Sequence, residues 1–161
     1  MIQTATGDLR ELRFPGIYTL IFGIKERKTV RTGGLGLSTY RPAWYAYIGS
    51  ALGGLSARIG HHLKPHGAPH WHIDYLLPQG QVIAIVATRT REHLECRLAA
   101  SLAQRFPRVP HFGSSDCRCP GHLLYAGAWK PLADAVEEAI RGAGCLPMAV
   151  FIQPEEKGGS G

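Results

Sequence analysis

The chain predicts an α/β domain of the α+β kind, in which a small, mainly antiparallel sheet is flanked by helices. Two β-branched and aromatic stretches, 16–24 and 43–50, come before any strong helical pattern and are typical of an antiparallel pair. A third apolar stretch, 81–88, precedes the clearest helical pattern, 91–106, in which leucines recur at steps of four. Strands that pair before the first long helix argue against a doubly wound parallel fold.

The remaining elements follow in chain order. Residues 55–64 predict a short helix that Pro65 ends, and 132–143 predict an amphipathic helix closed by glycines. The segment 70–77 alternates and is predicted to be extended. Short strands are expected at 29–31, 123–126 and 148–152. The glycine run 33–36 is read as turns, because no Gly-Lys-Ser/Thr follows it.

Length and composition indicate one globular domain. The chain has 161 residues, of which 45% are hydrophobic and 19% charged, and this excludes disorder, collagen and coiled coil. Neither a membrane-spanning run nor a secretory signal is evident, so we expect a cytoplasmic protein without a membrane partner. The expected division is a polar lead-in over 1–14, one domain over 15–153 and a flexible tail over 154–161.

The charge of the chain favours a polyanionic partner. The formal net charge is +6, and arginine dominates it, with 13 arginines against 5 lysines. Arginine makes bidentate contacts to phosphate, so nucleic acid is a natural candidate. The four cysteines are expected to be thiols or metal ligands in a cytosolic chain.

Two tyrosine-containing strands and a short helix carry the main motif. Gly16-Ile17-Tyr18 opens the first strand, and Tyr47-Ile48-Gly49 closes the second, followed by Ser50 and a glycine turn. Each tripeptide alone is typical of aromatic residues in a strand. Arg58 and His62 follow four residues apart, so they lie on one face of the predicted helix and can line a shared pocket.

In this order, the motifs resemble the GIY-YIG nuclease superfamily. Segments 44–63, 70–76 and 114–119 with His122 are similar to its Uri-type endonuclease-like branch, which occurs alone or fused to endonuclease III-like repair enzymes. The resemblance implies a nuclease fold and a metal-dependent endonuclease that hydrolyses DNA, directed by structure more than by sequence. It also implies Mg²⁺ or Mn²⁺, a role in DNA repair or processing, and a repair protein as a partner. RNA stays open as the substrate, and a catalytically inactive nucleic-acid-binding module on the same fold is the alternative.

The resemblance also implies roles for individual residues. Arg58 would bind the scissile phosphate, Tyr18 or Tyr47 would position or deprotonate the water, and His62 would relay the proton or bind phosphate. Gly49, Ser50 and His72 are expected to contact the substrate.

The family's metal-binding glutamate should lie on the helix after the third strand, where Glu92 and Glu95 both qualify. Glu95 shares an apolar face with Ala99 and Leu102, and a carboxylate on such a face needs a partner. A divalent cation would supply one, whereas an ion pair with Arg89 is the alternative. Glu92 is better explained by the helix dipole in the first turn. We therefore expect Glu95 to be the metal ligand.

Two further clusters could bind metal. Cys117, Cys119 and His122, beside Asp116, offer thiolates and imidazole to Zn²⁺, with Cys145 or His111 as a fourth ligand. The alternatives are a loop packed near the site and a zinc-stabilised interaction domain. If 70–77 is a strand, His70, His72 and Asp74 share one face, where they could bind metal, line the substrate cleft or form a His72–Asp74 hydrogen bond.

Overall fold

The structure, a computed structural model, describes residues 8–64, 69, 71–113 and 118–152 and has the predicted α+β fold. Six strands form an open sheet in the order β6-β7-β4-β1-β5-β8, and every pairing between them is antiparallel. A separate hairpin pairs β2 with β3. The strands are β1 (Gly16–Ile24), β2 (Lys28–Arg31), β3 (Leu37–Tyr40), β4 (Ala43–Ala51), β5 (Gln81–Arg89), β6 (Arg108–Val109), β7 (Leu123–Ala126) and β8 (Met148–Phe151).

The helices cover both faces of the sheet. They are α1 (Leu55–Leu63), α2 (His72–Leu76), α3 (Glu95–Ala103) and α4 (Trp129–Gly142). Along β1, Tyr18 and Leu20 point into the core beneath α1 and α2, whereas Ile17 and Ile21 point into the core beneath α3 and α4. Because both faces are covered, β1 is buried along almost its whole length and reads as a continuous apolar run.

The segment 70–77 was predicted to be extended, and this prediction was wrong. Residues 72–76 form α2, and a 3-10 turn follows at Leu77–Gln79. Asp74 at the third helical position accepts a hydrogen bond from the Trp71 backbone N–H at 3.0 Å, which satisfies a donor that helix starts leave unpaired. Ile73 and Leu76 then become buried at helical spacing. A common strand face for His72 and Asp74 is therefore excluded, and His70 lies outside the described residues.

The long helix is shorter than predicted, since α3 begins at Glu95 rather than at residue 91. Glu92 is exposed, and its backbone N–H donates to the Thr90 hydroxyl at 3.0 Å in the turn before the helix. Glu92 is thus not in the first helical turn, and the dipole explanation for it is wrong. Glu95 occupies that first turn instead.

The structure contains short elements that the sequence analysis did not predict. The strands β3 and β6 were missed, because each is short and lies among glycines and prolines. Within the predicted lead-in, Leu9–Glu11 form a 3-10 turn and Leu12 is buried against α1. The predicted tail 154–161 lies outside the described residues. Within the described part of the chain, no helix has the length and apolar character that a membrane span requires.

Gly16 begins β1, which lies between β4 and β5 at this point. A substitution at Gly16 tests how closely these strands pack. A methyl group at this position would overlap the Thr88 carbonyl oxygen of β5, which is rigid backbone. We expect Gly16→Ala to lower the free energy of unfolding by about 1–3 kcal/mol, as overpacking does. Urea denaturation measures the change. Gly127→Ala is the control, because the space around Gly127 is open. Equal effects of the two substitutions would contradict this account of β1.

Candidate functional site

A cleft opens where the pairing of β4 with β7 stops. β7 pairs with Trp44–Tyr47, and the Ile48 N–H donates to the His122 carbonyl just before β7. Among the described strands, none pairs with residues 49–51 of β4 on that side. The start of α3 and residues 113 and 122 line this region and enclose a cleft of about 440 Å³. The lining residues are Tyr18, Tyr47, Gly49, Ser50, Arg58, Trp71, His93, Glu95, Cys96, Gly113 and His122.

Gly49 allows Tyr18 to reach the cleft. The two residues are directly opposite in the β1–β4 pair, and a methyl group on Gly49 would lie 2.6 Å from the Tyr18 hydroxyl. The absence of a side chain lets the Tyr18 ring lie across β4, where it is 1% exposed. The Tyr47 ring lies 6.2 Å from it, centroid to centroid. The glycine of the second tripeptide thus positions the tyrosine of the first.

A buried hydrogen-bond chain runs from Tyr18 into the protein. The Tyr18 hydroxyl lies 2.6 Å from His62 Nε2, and His62 Nδ1 lies 2.9 Å from Asp74 Oδ1. As a carboxylate, Asp74 only accepts, so neutral His62 carries its proton on Nδ1 and accepts from Tyr18 at Nε2. The other Asp74 oxygen accepts from the Trp71 N–H. The arrangement follows the logic of a nucleophile–histidine–carboxylate triad, with a phenol in the first position.

Burial sets the protonation states along this chain. It raises the pKa of Tyr18 well above its usual value, and the neighbouring Tyr47 adds to the shift, while the Arg58 charge opposes it. Burial also raises the pKa of Tyr47. The pKa of His62 is lowered by burial, which outweighs the opposing effect of Asp74. At neutral pH Tyr18 therefore rests as a phenol and His62 as a neutral imidazole.

Arg58 is held in position at the mouth of the cleft. Its guanidinium carbon lies 4.2 Å from the centre of the Trp71 ring, and one N–H donates to the Ser50 carbonyl at 3.1 Å. Stacking and one hydrogen bond fix the plane of the guanidinium, which has five N–H donors in total. The group is suited to bind a phosphate or carboxylate in a defined orientation.

Glu95 lies in the same cleft, on the first residue of α3. Its side chain is 13% exposed, and among the described residues its ion-pair contact is with His93 Nδ1, at 3.9 Å. No described arginine pairs with it, so the predicted alternative of an ion pair with Arg89 does not hold within that part of the chain. A half-enclosed carboxylate beside a histidine is a suitable ligand for a hard divalent cation.

A second set of metal-ligating side chains lies next to Glu95. Cys96, Cys119 and His122 bring their ligand atoms within 4.8 Å of one another. Cys96 Sγ and His122 Nε2 are 3.4 Å apart. The predicted trio contained Cys117 instead of Cys96, and Cys117 and Asp116 lie outside the described residues. Neither Cys145 nor His111 belongs to this cluster.

Most of the residues predicted for the site come together in the structure. Tyr18, Tyr47, Gly49, Ser50, Arg58 and Glu95 line one cleft, and His62 lies directly behind Tyr18. His72 is not part of the described lining. Its Nδ1 accepts a hydrogen bond from the N–H of Gly113, a residue that lines the cleft, at 2.9 Å, so His72 holds this part of the lining in place. Burial lowers the pKa of His72.

Sequence reasoning missed three contributions. Asp74 contacts His62 rather than His72, Trp71 stacks on Arg58, and Cys96 joins Cys119 and His122. The available signal for α2 was an acidic residue three positions after Trp71, flanked by Ile73 and Leu76 at helical spacing. The pattern carries no signal for Cys96, because it is 23 residues from Cys119 and 26 from His122.

Comparison with known families places the chain. A family model described as a domain of unknown function, DUF123, matches residues 17–145, a span that contains every residue lining the cleft. Comparison with curated proteins and with solved structures gives no match. Because the matched span covers most of the 161 residues, the chain belongs to the DUF123 family.

Proposed function

We propose that this protein is a metal-dependent endonuclease that hydrolyses phosphodiester bonds in DNA. The observation that carries the proposal is the convergence of a buried Tyr18–His62–Asp74 hydrogen-bond chain, an oriented arginine and a half-enclosed glutamate on one cleft. Phosphodiester hydrolysis needs an activated water, stabilisation of charge on the phosphate, and a cation. The resemblance of the motifs to GIY-YIG nucleases supports the same reaction.

Tyr18 and His62 would act together as the base. A buried phenol with a raised pKa cannot rest as a phenolate, so Tyr18 must lose its proton as it gains one. The hydroxyl oxygen of Tyr18 takes a proton from the attacking water, while its own proton passes to His62 Nε2. The imidazolium that forms is stabilised by Asp74 at Nδ1. The water oxygen bonds to phosphorus, the phosphorus bond to the leaving oxygen breaks, and that oxygen takes a proton from solvent.

Arg58 would hold the phosphate. Its orientation is set by Trp71 and the Ser50 carbonyl before the substrate arrives, so little ordering is left for the reaction itself. The guanidinium then stabilises the negative charge that grows on the phosphate oxygens.

Glu95 fits the role of cation ligand. The oxygen donor is the kind that Mg²⁺ and Mn²⁺ prefer, and Mg²⁺ needs few protein carboxylates because it keeps most of its waters. When bound, the cation would neutralise charge on a phosphate oxygen. The position of Glu95, in the cleft that Tyr18 and Arg58 also line, is what a shared phosphate would require.

DNA is the proposed substrate because the net charge is +6 and arginine supplies most of the positive charge. Contacts to phosphate carry no sequence information, so we expect recognition of backbone shape, as in nicked, flapped or branched DNA. A DNA-repair protein is the expected partner. Labelled RNA of matched sequence is the competing substrate, and its cleavage in preference to DNA would contradict this choice.

Glu95→Gln is expected to abolish metal-dependent cleavage and to leave DNA binding in place, because it removes the anionic ligand and keeps the shape. The measurement is cleavage of labelled duplex, nicked, flapped, branched and single-stranded DNA with Mg²⁺, Mn²⁺ or EDTA. Glu92→Gln is the matched control, since Glu92 is exposed and precedes α3. Salt-sensitive binding without any cleavage by the wild type would favour the inactive binding module instead.

The proton path predicts matched losses at two residues. Tyr18→Phe and Asp74→Asn should each lower the cleavage rate by about 100-fold or more, because one removes the proton carrier and the other the carboxylate that orients His62. Single-turnover kinetics at saturating Mg²⁺ measures the effect. Tyr125→Phe and Asp134→Asn, on β7 and α4, are the controls and should cleave at the wild-type rate. Full activity of Tyr18→Phe would rule out the proposed base.

The acid side of the pH–rate profile should report His62. Protonated His62 cannot accept from Tyr18, and burial lowers the pKa of His62 below that of a free imidazole, about 6.5. The rate should therefore still be at its plateau at pH 6.5 and should fall only in more acidic solution. The ionisable groups that face this imidazole are Tyr18, Tyr47, Arg58, His61 and Asp74. His62→Gln should lower the rate and remove this acid limb. An unchanged acid limb in that variant would assign the titration to another group.

A further inference from the structure

The cluster of Cys96, Cys119 and His122 has the dimensions of a metal site. Around a tetrahedral Zn²⁺, sulfur and nitrogen ligands lie about 3.5–3.8 Å from one another, given Zn–S and Zn–N distances of about 2.3 and 2.0 Å. Cys96 Sγ and His122 Nε2 are already 3.4 Å apart, and all three ligand atoms lie within 4.8 Å of one another. A shift of about 1 Å at one side chain would complete the triangle.

The chemistry of the donors selects the ion. Two sulfurs and one imidazole are soft or intermediate ligands, which suit Zn²⁺ and not Mg²⁺. Two thiolates balance the charge of a divalent ion, so the metal adds no net charge to a largely buried place. Arg108 Nη1 lies 3.6 Å from Cys119 Sγ, so a positive charge lies beside this sulfur.

His122 is prepared for ligation. It is 6% exposed, and its Nε2 already lies 3.4 Å from Cys96 Sγ, so the ring is oriented toward the other ligand atoms. Its backbone is fixed on both sides: its N–H donates to the Phe112 carbonyl at 2.7 Å, and its carbonyl accepts from the Ile48 N–H at 3.0 Å.

We infer that Cys96, Cys119 and His122 bind one Zn²⁺ ion, at a site separate from the cation site of Glu95. The ion would join the first turn of α3 to the segment 118–122 and, through the backbone of His122, to the end of β4. Since Glu95 directly precedes Cys96, the zinc would stabilise the position of Glu95 relative to Tyr18. With three protein ligands, a water molecule would take the fourth tetrahedral position. The role of the ion is to join these elements, and the proposal does not depend on the nuclease reaction.

Zinc content tests the inference directly. Protein purified under reducing conditions and dialysed against Zn²⁺ should retain one zinc per chain by mass spectrometry of the metal. Cys96→Ser, Cys119→Ser and His122→Ala should each lose it. Cys145→Ser is the matched control, because this cysteine lies outside the cluster, and it should retain the metal. Glu95→Gln should also retain it, although it is expected to lose magnesium-dependent cleavage.

Cobalt and heat extend the test without relying on variants that could misfold. Co²⁺ added to the wild-type apoprotein should give thiolate-to-metal charge-transfer absorption and intense tetrahedral ligand-field bands. Chelation should lower the melting temperature of the wild type and of Cys145→Ser, and should not change that of a folded Cys96→Ser variant. A wild type that holds no more zinc than Cys96→Ser, or a cobalt spectrum without thiolate bands, would overturn the site. Loss of zinc from Glu95→Gln would overturn the separation of the two sites.

Discussion

The site depends on one buried contact, the placement of the Tyr18 ring across Gly49 with its hydroxyl on His62. The contact joins β1, β4 and α1, and Asp74 extends it to α2. It buries a phenol and an imidazole away from water. Burial raises the pKa of Tyr18 and lowers the pKa of His62, so the uncharged form of each is favoured. The free-energy cost of burying these side chains is tolerable because every polar side-chain atom of Tyr18, His62 and Asp74 has a hydrogen-bond partner.

The neutral resting state of this chain explains why three residues are needed. A lone buried tyrosine would be a poor base, since its pKa is raised. The same burial makes His62 an acceptor at neutral pH, and Asp74 fixes the tautomer that presents Nε2 to the phenol. In the proposed reaction, the three residues therefore move a proton rather than store a negative charge.

The start of α3 places hard and soft metal ligands on consecutive residues. Glu95 offers oxygen to the cleft, and Cys96 offers sulfur to Cys119 and His122. Glu95, Cys96 and His122 all line the cleft beside Gly49 and Ser50 of β4. The two proposed sites thus lie at one place in the fold, although their chemistry is independent.

The sequence by itself determined the elements of the sheet core and the local part of the site. Apolar runs fixed β1, β4 and β5, and the spacing of Arg58 and His62 placed both on α1, because these features depend on residues close together in the chain. Only the tertiary structure decided the partners that come from distant elements. Asp74 reached His62 because 72–76 folded as a helix, and Cys96 joined Cys119 and His122 across more than 20 residues. Such contacts follow from how helices dock on the sheet, and no local periodicity encodes that docking.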